Sequence, residues 1–265
     1  MKNTARSQRD EIEIKKLLGS DLSMLRVFAF DTCSSTNTLA KEFGAENPNT
    51  DAVFIAREQT AGVGRVGRKF HSGEGGLYIS FLLHPKIHAA QAVKITALAA
   101  VALCRVMEKE AGADPKIKWV NDVYLSGKKA AGILTLGRVG EGGMSASAIC
   151  GIGVNLLRRD FPAEIRDIAT SVEEATGTAP SFCRFAAELI KEFLSLLPRL
   201  SDREIAEEYR GRSFLIGKTV TVTEGDRSYA AKVLGITDDF CLSVDCGGEI
   251  KNLVGAEVKI SNFNK

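Results

Sequence analysis

The stretch Gln59–Phe70 reads Gln-Thr-Ala-Gly-Val-Gly-Arg-Val-Gly-Arg-Lys-Phe. Apolar, strand-forming patterns flank it at Ala52–Ala56 and Leu77–Leu83. Its glycines allow the backbone to approach a ligand closely, and its arginines and lysine favour an anion. The stretch therefore predicts a loop that wraps an anionic small molecule. The alternative is a solvated basic loop without function.

The glycine spacing resembles a dinucleotide-binding fingerprint, but the surrounding pattern excludes one. That fingerprint opens a helix at its last glycine, whereas Gly67 is followed by a polar, glycine-rich run and then the strand Leu77–Leu83. A P-loop is excluded as well, because no Gly-Lys-Ser/Thr ends the stretch. Several hairpin patterns follow, so we predict an α+β fold with a mixed sheet rather than a doubly wound parallel sheet.

The remaining pattern supplies the other elements. Strands are predicted at Leu25–Phe30, Lys116–Trp119, Ala130–Leu136 and Met144–Val154. Helices are predicted at residues 8–18, around Leu39–Phe43 up to Gly44, and at Ala89–Glu110, Phe182–Leu197 and Ser201–Tyr209.

After Gly211 the pattern changes to short strands separated by turns, at Thr219–Thr223, Tyr229–Ile236, Cys241–Val244 and Val258–Ile260. About fifty residues of this kind predict a small antiparallel barrel as a second domain. We expect an N-terminal helical segment at residues 1–24, a catalytic domain at 25–213 and a C-terminal β domain at 214–265.

Composition narrows the function classes. The 265 residues are 45% hydrophobic and 26% charged, with a net charge of +2, so bulk charge gives no reason to expect nucleic-acid or membrane binding. The six cysteines show no metal-ligand spacing and are read as reduced thiols. No signal sequence or membrane span is evident. We expect a cytoplasmic protein.

Four further segments carry polar residues at strand ends or turns: Ser35-Thr36-Asn37, Lys118–Asp122, Lys128–Leu134 and Gly151–Leu156. Taken singly, each has a plain structural interpretation as a helix cap, a turn, a solvated lysine or bulge glycines.

Together with the Gln59–Phe70 loop, and in this order, they closely resemble the biotin protein ligases. The family's runs Gln-x-x-Gly-x-Gly-Arg-x-Gly-Arg, Lys-Trp-Pro-Asn-Asp, Lys-x-x-Gly-Ile-Leu and Gly-x-Gly-x-Asn all have counterparts. The resemblance covers the chain from about Leu25 onward. It implies the biotin–lipoate ligase fold, which is like that of the class II synthetases, and a C-terminal SH3-like β-barrel.

The resemblance implies that biotin and ATP react to biotinyl-5'-AMP, with Mg²⁺, before a lysine of a biotin carboxyl carrier protein is acylated. The catalytic residues it implies are Arg65, Lys129 and Asp122. The biotin-binding residues it implies are Ser35, Thr36, Asn37, Gln59, Gly62, Val63, Gly64, Arg65, Lys129 and Gly132. The ATP-binding residues it implies are Arg65, Arg68, Phe70, Asn121 and Asn155. The ligands of Mg²⁺ stay open.

The sequence departs from the family pattern at three positions. Val63 stands where arginine is usual, Phe70 where tryptophan is common, and Val120 where the Lys-Trp-Pro-Asn-Asp run has proline. None of these changes removes Arg65 or Lys129, so we expect activity with weaker retention of the intermediate.

Two other functions remain open: a lipoate–protein ligase, and a module that binds the adenylate without ligating it. Long members of the family carry an N-terminal DNA-binding domain, whereas residues 1–24 offer one helix at most. We expect no DNA or membrane partner, and a monomer or a homodimer.

Overall fold

The computed structural model describes residues 5–85, 87–88 and 91–260. Two sheets organise this part of the chain, and helices cover both faces of the larger one. This arrangement confirms the prediction of an α+β protein with a large mixed sheet and a second, antiparallel sheet near the C-terminus.

Within the described residues, the large sheet has eight strands in the order β1-β2-β3-β4-β8-β7-β6-β5. Only β2 and β3 run parallel; the other neighbours are antiparallel. The strands are β1 (Ala5–Arg6), β2 (Arg26–Cys33), β3 (Ala52–Gln59), β4 (Gly76–Leu83), β5 (Lys116–Lys118), β6 (Asp122–Leu125), β7 (Lys128–Val139) and β8 (Ser145–Asn155).

The second sheet has the strand order β12-β11-β10-β9-β13 and is antiparallel throughout. Its strands are β9 (Thr219–Glu224), β10 (Arg227–Ile236), β11 (Leu242–Asp245), β12 (Ile250–Leu253) and β13 (Glu257–Ile260). The strands β1, β6 and β12 were not predicted, because each has only two to four residues, too few for a recognisable pattern.

The described residues form the α-helices α1 (Gln8–Leu18), α2 (Thr36–Glu46), α3 (Ala92–Ala111), α4 (Val172–Thr176), α5 (Phe182–Leu196) and α6 (Arg203–Arg212). The prediction that Gly44 ends α2 is wrong. A glycine inside a helix costs only about 1 kcal/mol, and here it lets α2 approach Leu82, whose Cδ2 would lie 3.1 Å from an added Cβ. The helix ends at Glu46, and the side-chain amide of Asn47, the C-cap residue, donates to the Phe43 carbonyl. For α3, the expected residues Ala89 and Ala90 lie outside the described part.

Successive side chains on the central strands point alternately into two hydrophobic cores. On β4, Leu77, Ile79 and Phe81 join the core that contains α3 and α5, whereas Tyr78 and Leu82 face α2. Period-two alternation therefore sends every second residue of β4 and β8 to the α2 side. That side holds the candidate site.

The cysteines fit the expectation of free thiols. None of the six forms a disulfide. Cys33, Cys104, Cys150 and Cys183 are buried, while Cys241 and Cys246 are half-buried. None of the described helices is both long and apolar enough to cross a bilayer.

Candidate active site

A cavity of about 320 Å³ lies on the α2 side of the large sheet. Its floor is made of glycines on β7 and β8, with Gly132 paired to Gly153 and Gly151 two register positions further on, on the same face of the sheet. An added Cβ at Gly153 would lie 2.4 Å from Phe70 Cε1, and one at Gly151 would lie 2.3 Å from Asn37 Oδ1. The absence of side chains at these positions therefore lets Phe70 and Asn37 approach the floor closely.

One end of the cavity is polar. Ser35, Thr36 and Asn37 lie at the start of α2 and line it together with Gln59, at the end of β3. Gln59 Oε1 accepts hydrogen bonds from the Thr36 backbone nitrogen at 2.8 Å and from Thr36 Oγ1 at 3.1 Å. Ser35 occupies the N-cap position, yet its side chain makes no capping hydrogen bond. The plain helix-cap interpretation therefore does not account for this serine.

The other end is cationic and begins with Arg65. Its guanidinium donates to Asn121 Oδ1 at 2.9 Å and to the Ala256 carbonyl at 3.3 Å. Asn121 in turn donates from Nδ2 to the Ile133 carbonyl at 3.0 Å. A sequence-distant amide and a backbone carbonyl thus hold the arginine in one place.

Lys129 is the second cation at this end of the cavity. Its Nζ lies 2.6 Å from Asp122 Oδ1 and 6.0 Å from the centre of the Phe70 ring. Phe70 also packs edge-on against Tyr78. The structure therefore brings the three residues predicted as catalytic, Arg65, Lys129 and Asp122, to one cavity.

The glycine–arginine loop, Gln59–Phe70, folds back on itself. Gly64 N donates to the Arg68 carbonyl at 2.7 Å, and Phe70 N donates to the Gly62 carbonyl at 3.0 Å. A Cβ at Gly62 would lie 2.3 Å from Ser72 Oγ and 2.6 Å from the Phe70 carbonyl. The need for glycine at position 62 thus comes from closure of the loop, because Gly62 does not line the cavity, whereas Val63 and Gly64 do.

The C-terminal sheet completes the wall. Residues 256–259 line the cavity although they lie far from the loop in sequence. Glu257 accepts a hydrogen bond from Arg68, and this contact and the positive charge of Arg68 hold the pKa of the Glu257 carboxyl below its usual value. Trp119, which also lines the cavity, donates its indole N–H to the Phe240 carbonyl at 2.8 Å.

Sequence reasoning missed several lining residues. Tyr78, Lys118 and residues 256–259 belong to the wall, and of these only Lys118 lies within a quoted motif. Burial lowers the pKa of the Lys118 ammonium, an effect that the nearby Asp122 carboxylate partly offsets. The cavity is lined by six lysines and arginines against two carboxylates, so it attracts anions.

Asn155, predicted on the nucleotide side, is not brought to the cavity. It is buried, donates from Nδ2 to the Thr170 carbonyl at 2.9 Å, and accepts from Arg159 at 2.6 Å. Gly62, predicted to bind biotin, does not line the cavity either. The remaining predicted residues do: Ser35, Thr36, Asn37, Gln59, Val63, Gly64, Arg65, Arg68, Phe70, Asn121, Asp122, Lys129 and Gly132.

The described residues contain no cluster of three or more histidine, cysteine, aspartate or glutamate side chains that could hold a metal ion. The carboxylates on the cavity wall are Asp122 and Glu257. Mg²⁺ is commonly held by one or two carboxylates plus substrate phosphates. The donor set therefore fits an ion that arrives with a nucleotide.

Comparison with known proteins places this geometry in context. The sequence model of the Biotin/lipoate A/B protein ligase family matches residues 29–155. The bifunctional ligase/repressor BirA of Bacillus subtilis is 32% identical over 94% of this chain and 78% of its own length. The biotin–[acetyl-CoA-carboxylase] ligase of Mycobacterium tuberculosis is 29% identical over 92% of this chain and 90% of its own.

The same likeness holds in three dimensions. A biotin protein ligase from Aquifex aeolicus, solved in complex with biotin and ATP, superposes with a TM-score of 0.77 at 25% identity, covering 89% of this chain and 99% of that one.

Proposed function

Because the chain belongs to the Biotin/lipoate A/B protein ligase family, we propose that it is an ATP-dependent ligase that activates biotin as biotinyl-5'-AMP. It then transfers the biotinyl group to a lysine of a biotin carboxyl carrier protein. One observation carries the proposal: a single cavity joins a hydrogen-bonding end at Ser35–Asn37 to a cationic end at Arg65 and Lys129. This layout suits a molecule with a polar ring at one end and a carboxylate at the other.

In the first step, an oxygen of the biotin carboxylate attacks the α-phosphorus of ATP, and the bond to the β-phosphate oxygen breaks to release pyrophosphate. Two anions must meet, so fixed cations at the junction lower the barrier. Arg65 and Lys129 supply them, and Asn121 and Asp122 hold them in place. Mg²⁺ bound with ATP supplies further charge neutralisation.

In the second step, the amine of the carrier lysine attacks the acyl carbon and AMP leaves. The amine must lose a proton to act as a nucleophile. Asp122 Oδ1 is taken by Lys129 at 2.6 Å and by Asn121 Nδ2 at 3.1 Å. None of the hydrogen bonds within the described residues engages Oδ2, which leaves that oxygen to orient the incoming amine and to accept its proton.

Phe70 and the loop shield the mixed anhydride from water. Gly64 and Val63 line the cavity from the loop side, and the Phe70 ring lies over Gly153 on the floor. Adenine stacking on Phe70, and nucleotide contacts of Arg68 and Asn121, complete the proposed ATP site. Because Asn155 does not line the cavity, we assign it an indirect part, through Arg159.

Biotin-dependent exchange of pyrophosphate into ATP tests the activation step, with lipoate as the competing substrate. We expect exchange with biotin, little with lipoate, and strong loss in Arg65→Ala. Transfer of radiolabelled biotin to a purified biotin carboxyl carrier domain tests the second step. Exchange without transfer would favour a module that forms or binds the adenylate without ligating it.

We further propose that residues 25–213 and 214–265 form the catalytic and C-terminal domains, and that residues 1–24 do not bind DNA. Helix α1 packs against α5, and its Asp10 and Glu11 are buried against arginine and lysine side chains. Paired charges of both signs make a poor phosphate-binding face. A gel shift with the promoter of its own operon at physiological salt tests this, and tight binding would contradict it.

We place the ligase in the cytoplasm, where free thiols stay reduced, as a monomer or a homodimer. Cell fractionation and analytical ultracentrifugation check these two assignments.

A further inference from the structure

Ser80 lies beneath the polar end of the cavity without lining it. It sits on β4 between Tyr78 and Leu82, faces α2, and is fully buried. Its Oγ lies 2.7 Å from Thr36 Oγ1 and 2.6 Å from Asn37 Oδ1. One buried hydroxyl thus touches two of the residues that line the polar end.

A chain of hydrogen bonds links Ser80 to the glycine–arginine loop. Ser72 Oγ donates to the Phe70 carbonyl at 3.0 Å and accepts from Gln59 Nε2 at 3.0 Å. Gln59 Oε1 then faces Thr36, whose backbone N–H can only donate. The orientation of the Gln59 amide is therefore fixed at both ends.

The hydroxyl hydrogens in this series of hydrogen bonds can be counted. Thr36 has one hydroxyl hydrogen, and it goes to Gln59 Oε1 at 3.1 Å. Thr36 Oγ1 is then the acceptor for the single hydroxyl hydrogen of Ser80. In the reverse direction, with Thr36 donating to Ser80, Thr36 Oγ1 and Gln59 Oε1 would face each other without a hydrogen between them.

Ser80 consequently has no hydrogen left for Asn37. The 2.6 Å contact between them is a hydrogen bond only if Asn37 donates it, with its amide nitrogen toward Ser80. The two ends of an amide have the same shape, so the surrounding hydrogen bonds decide which way it points. The amide lies against Gly151, where an added Cβ would be 2.3 Å away.

We propose that Ser80 is a positioning residue: it holds the Asn37 amide with its carbonyl oxygen toward the cavity, where that oxygen accepts an N–H from the ligand. The inference rests on the proposed function and deepens it. The ureido ring of biotin carries two N–H groups, whereas the dithiolane ring of lipoate carries none. The orientation of the Asn37 amide thus favours the cyclic urea of biotin over the dithiolane ring of lipoate.

Ser80→Ala tests the inference because it removes the acceptor that fixes the amide. We expect the KM for biotin to rise about five- to tenfold, the size of one net hydrogen bond, while kcat and the KM for ATP stay near wild type. Ser171→Ala is the matched control. Ser171 is also a fully buried serine, but its hydroxyl accepts from Glu174 N at the start of α4, outside the cavity.

The decisive readout is discrimination between biotin and biotin methylated on a ureido nitrogen. Wild type and Ser171→Ala should reject the methylated compounds, and Ser80→Ala should reject them less, by about the same five- to tenfold. The ratio in question compares the activity with biotin to the activity with methylated biotin. A serine that only supports packing would leave this ratio unchanged. Should Ser80→Ala fail to fold, Asn37→Ala removes the acceptor itself and should lower the same ratio.

The outcomes separate the two proposals. Wild-type enzyme without biotin-dependent exchange would overturn both. Active wild type together with an unchanged ratio in the variants would overturn the role of Ser80 and Asn37 alone.

Discussion

Lys129→Met should separate the catalytic part of the Lys129–Asp122 contact from its structural part. The ion pair spans 2.6 Å, but the lysine and aspartate side chains are 33% and 19% exposed. For a pair this accessible to solvent, the loss to folding is about 0.2–1 kcal/mol. Methionine also keeps the aliphatic stem beside Gly132 and Phe70. We therefore expect the melting temperature to fall by no more than about 4 °C.

The expected effect on chemistry is larger. Removing a fixed group that stabilises charge developing in the transition state costs about 2.7–4 kcal/mol, or a factor of about 10² to 10³ in rate. Biotin-dependent ATP–pyrophosphate exchange at saturating substrates measures it. Lys128→Met, one residue earlier on β7, is the control and should keep near wild-type exchange. Exchange by Lys129→Met within about threefold of wild type would refute the assigned role.

Three further outcomes are expected. Val63→Arg should slow dissociation of biotinyl-5'-AMP, by less than the roughly 1.5–3 kcal/mol of a desolvated charged hydrogen bond, because position 63 is 53% exposed; a stopped-flow dissociation rate equal to wild type would contradict this. Trypsin should cut the segment 62–76 more slowly with biotin and ATP, since ligand contacts supply the free energy that orders a glycine-rich loop; equal cutting rates would count against it. Burial alone would raise the pKa of Asp10, but hydrogen bonding to Arg57 and its charge hold that pKa below its usual value. The carboxylate therefore stabilises the fold above the unfolded pKa of about 3.9 and loses this effect as pH falls through the folded pKa. In urea titrations Asp10→Asn should flatten the acid decline, and an unchanged slope would be evidence against the linkage.

Much of the fold could be predicted because its longest elements have clear patterns in the local sequence. The apolar run along β4, the glycine-rich loop without a following helix, and the short strands after Gly211 predict a mixed sheet and a second β unit. The short strands β6 and β12 carry too few residues for their periodicity to be recognised.

The site was predictable where its residues stand in compact motifs and less so elsewhere. Ser80 gives no local signal, since a serine in a buried strand is ordinary, and its importance comes from neighbours on α2. The lining by residues 256–259 depends on how the second sheet packs over the first. The burial of Asn155 could not be foreseen either, because its partners Thr170 and Arg159 come from a segment without a regular pattern.

The glycine floor constrains how the specificity of this site can change. Every substitution at Gly132, Gly151 or Gly153 adds atoms, so mutation at these positions can shrink the cavity but can never enlarge it. Selection or engineering toward a bulkier acyl group must instead find space by trimming a wall residue such as Tyr78 or Leu134. Substitutions at the floor glycines can therefore only favour smaller ligands or abolish binding.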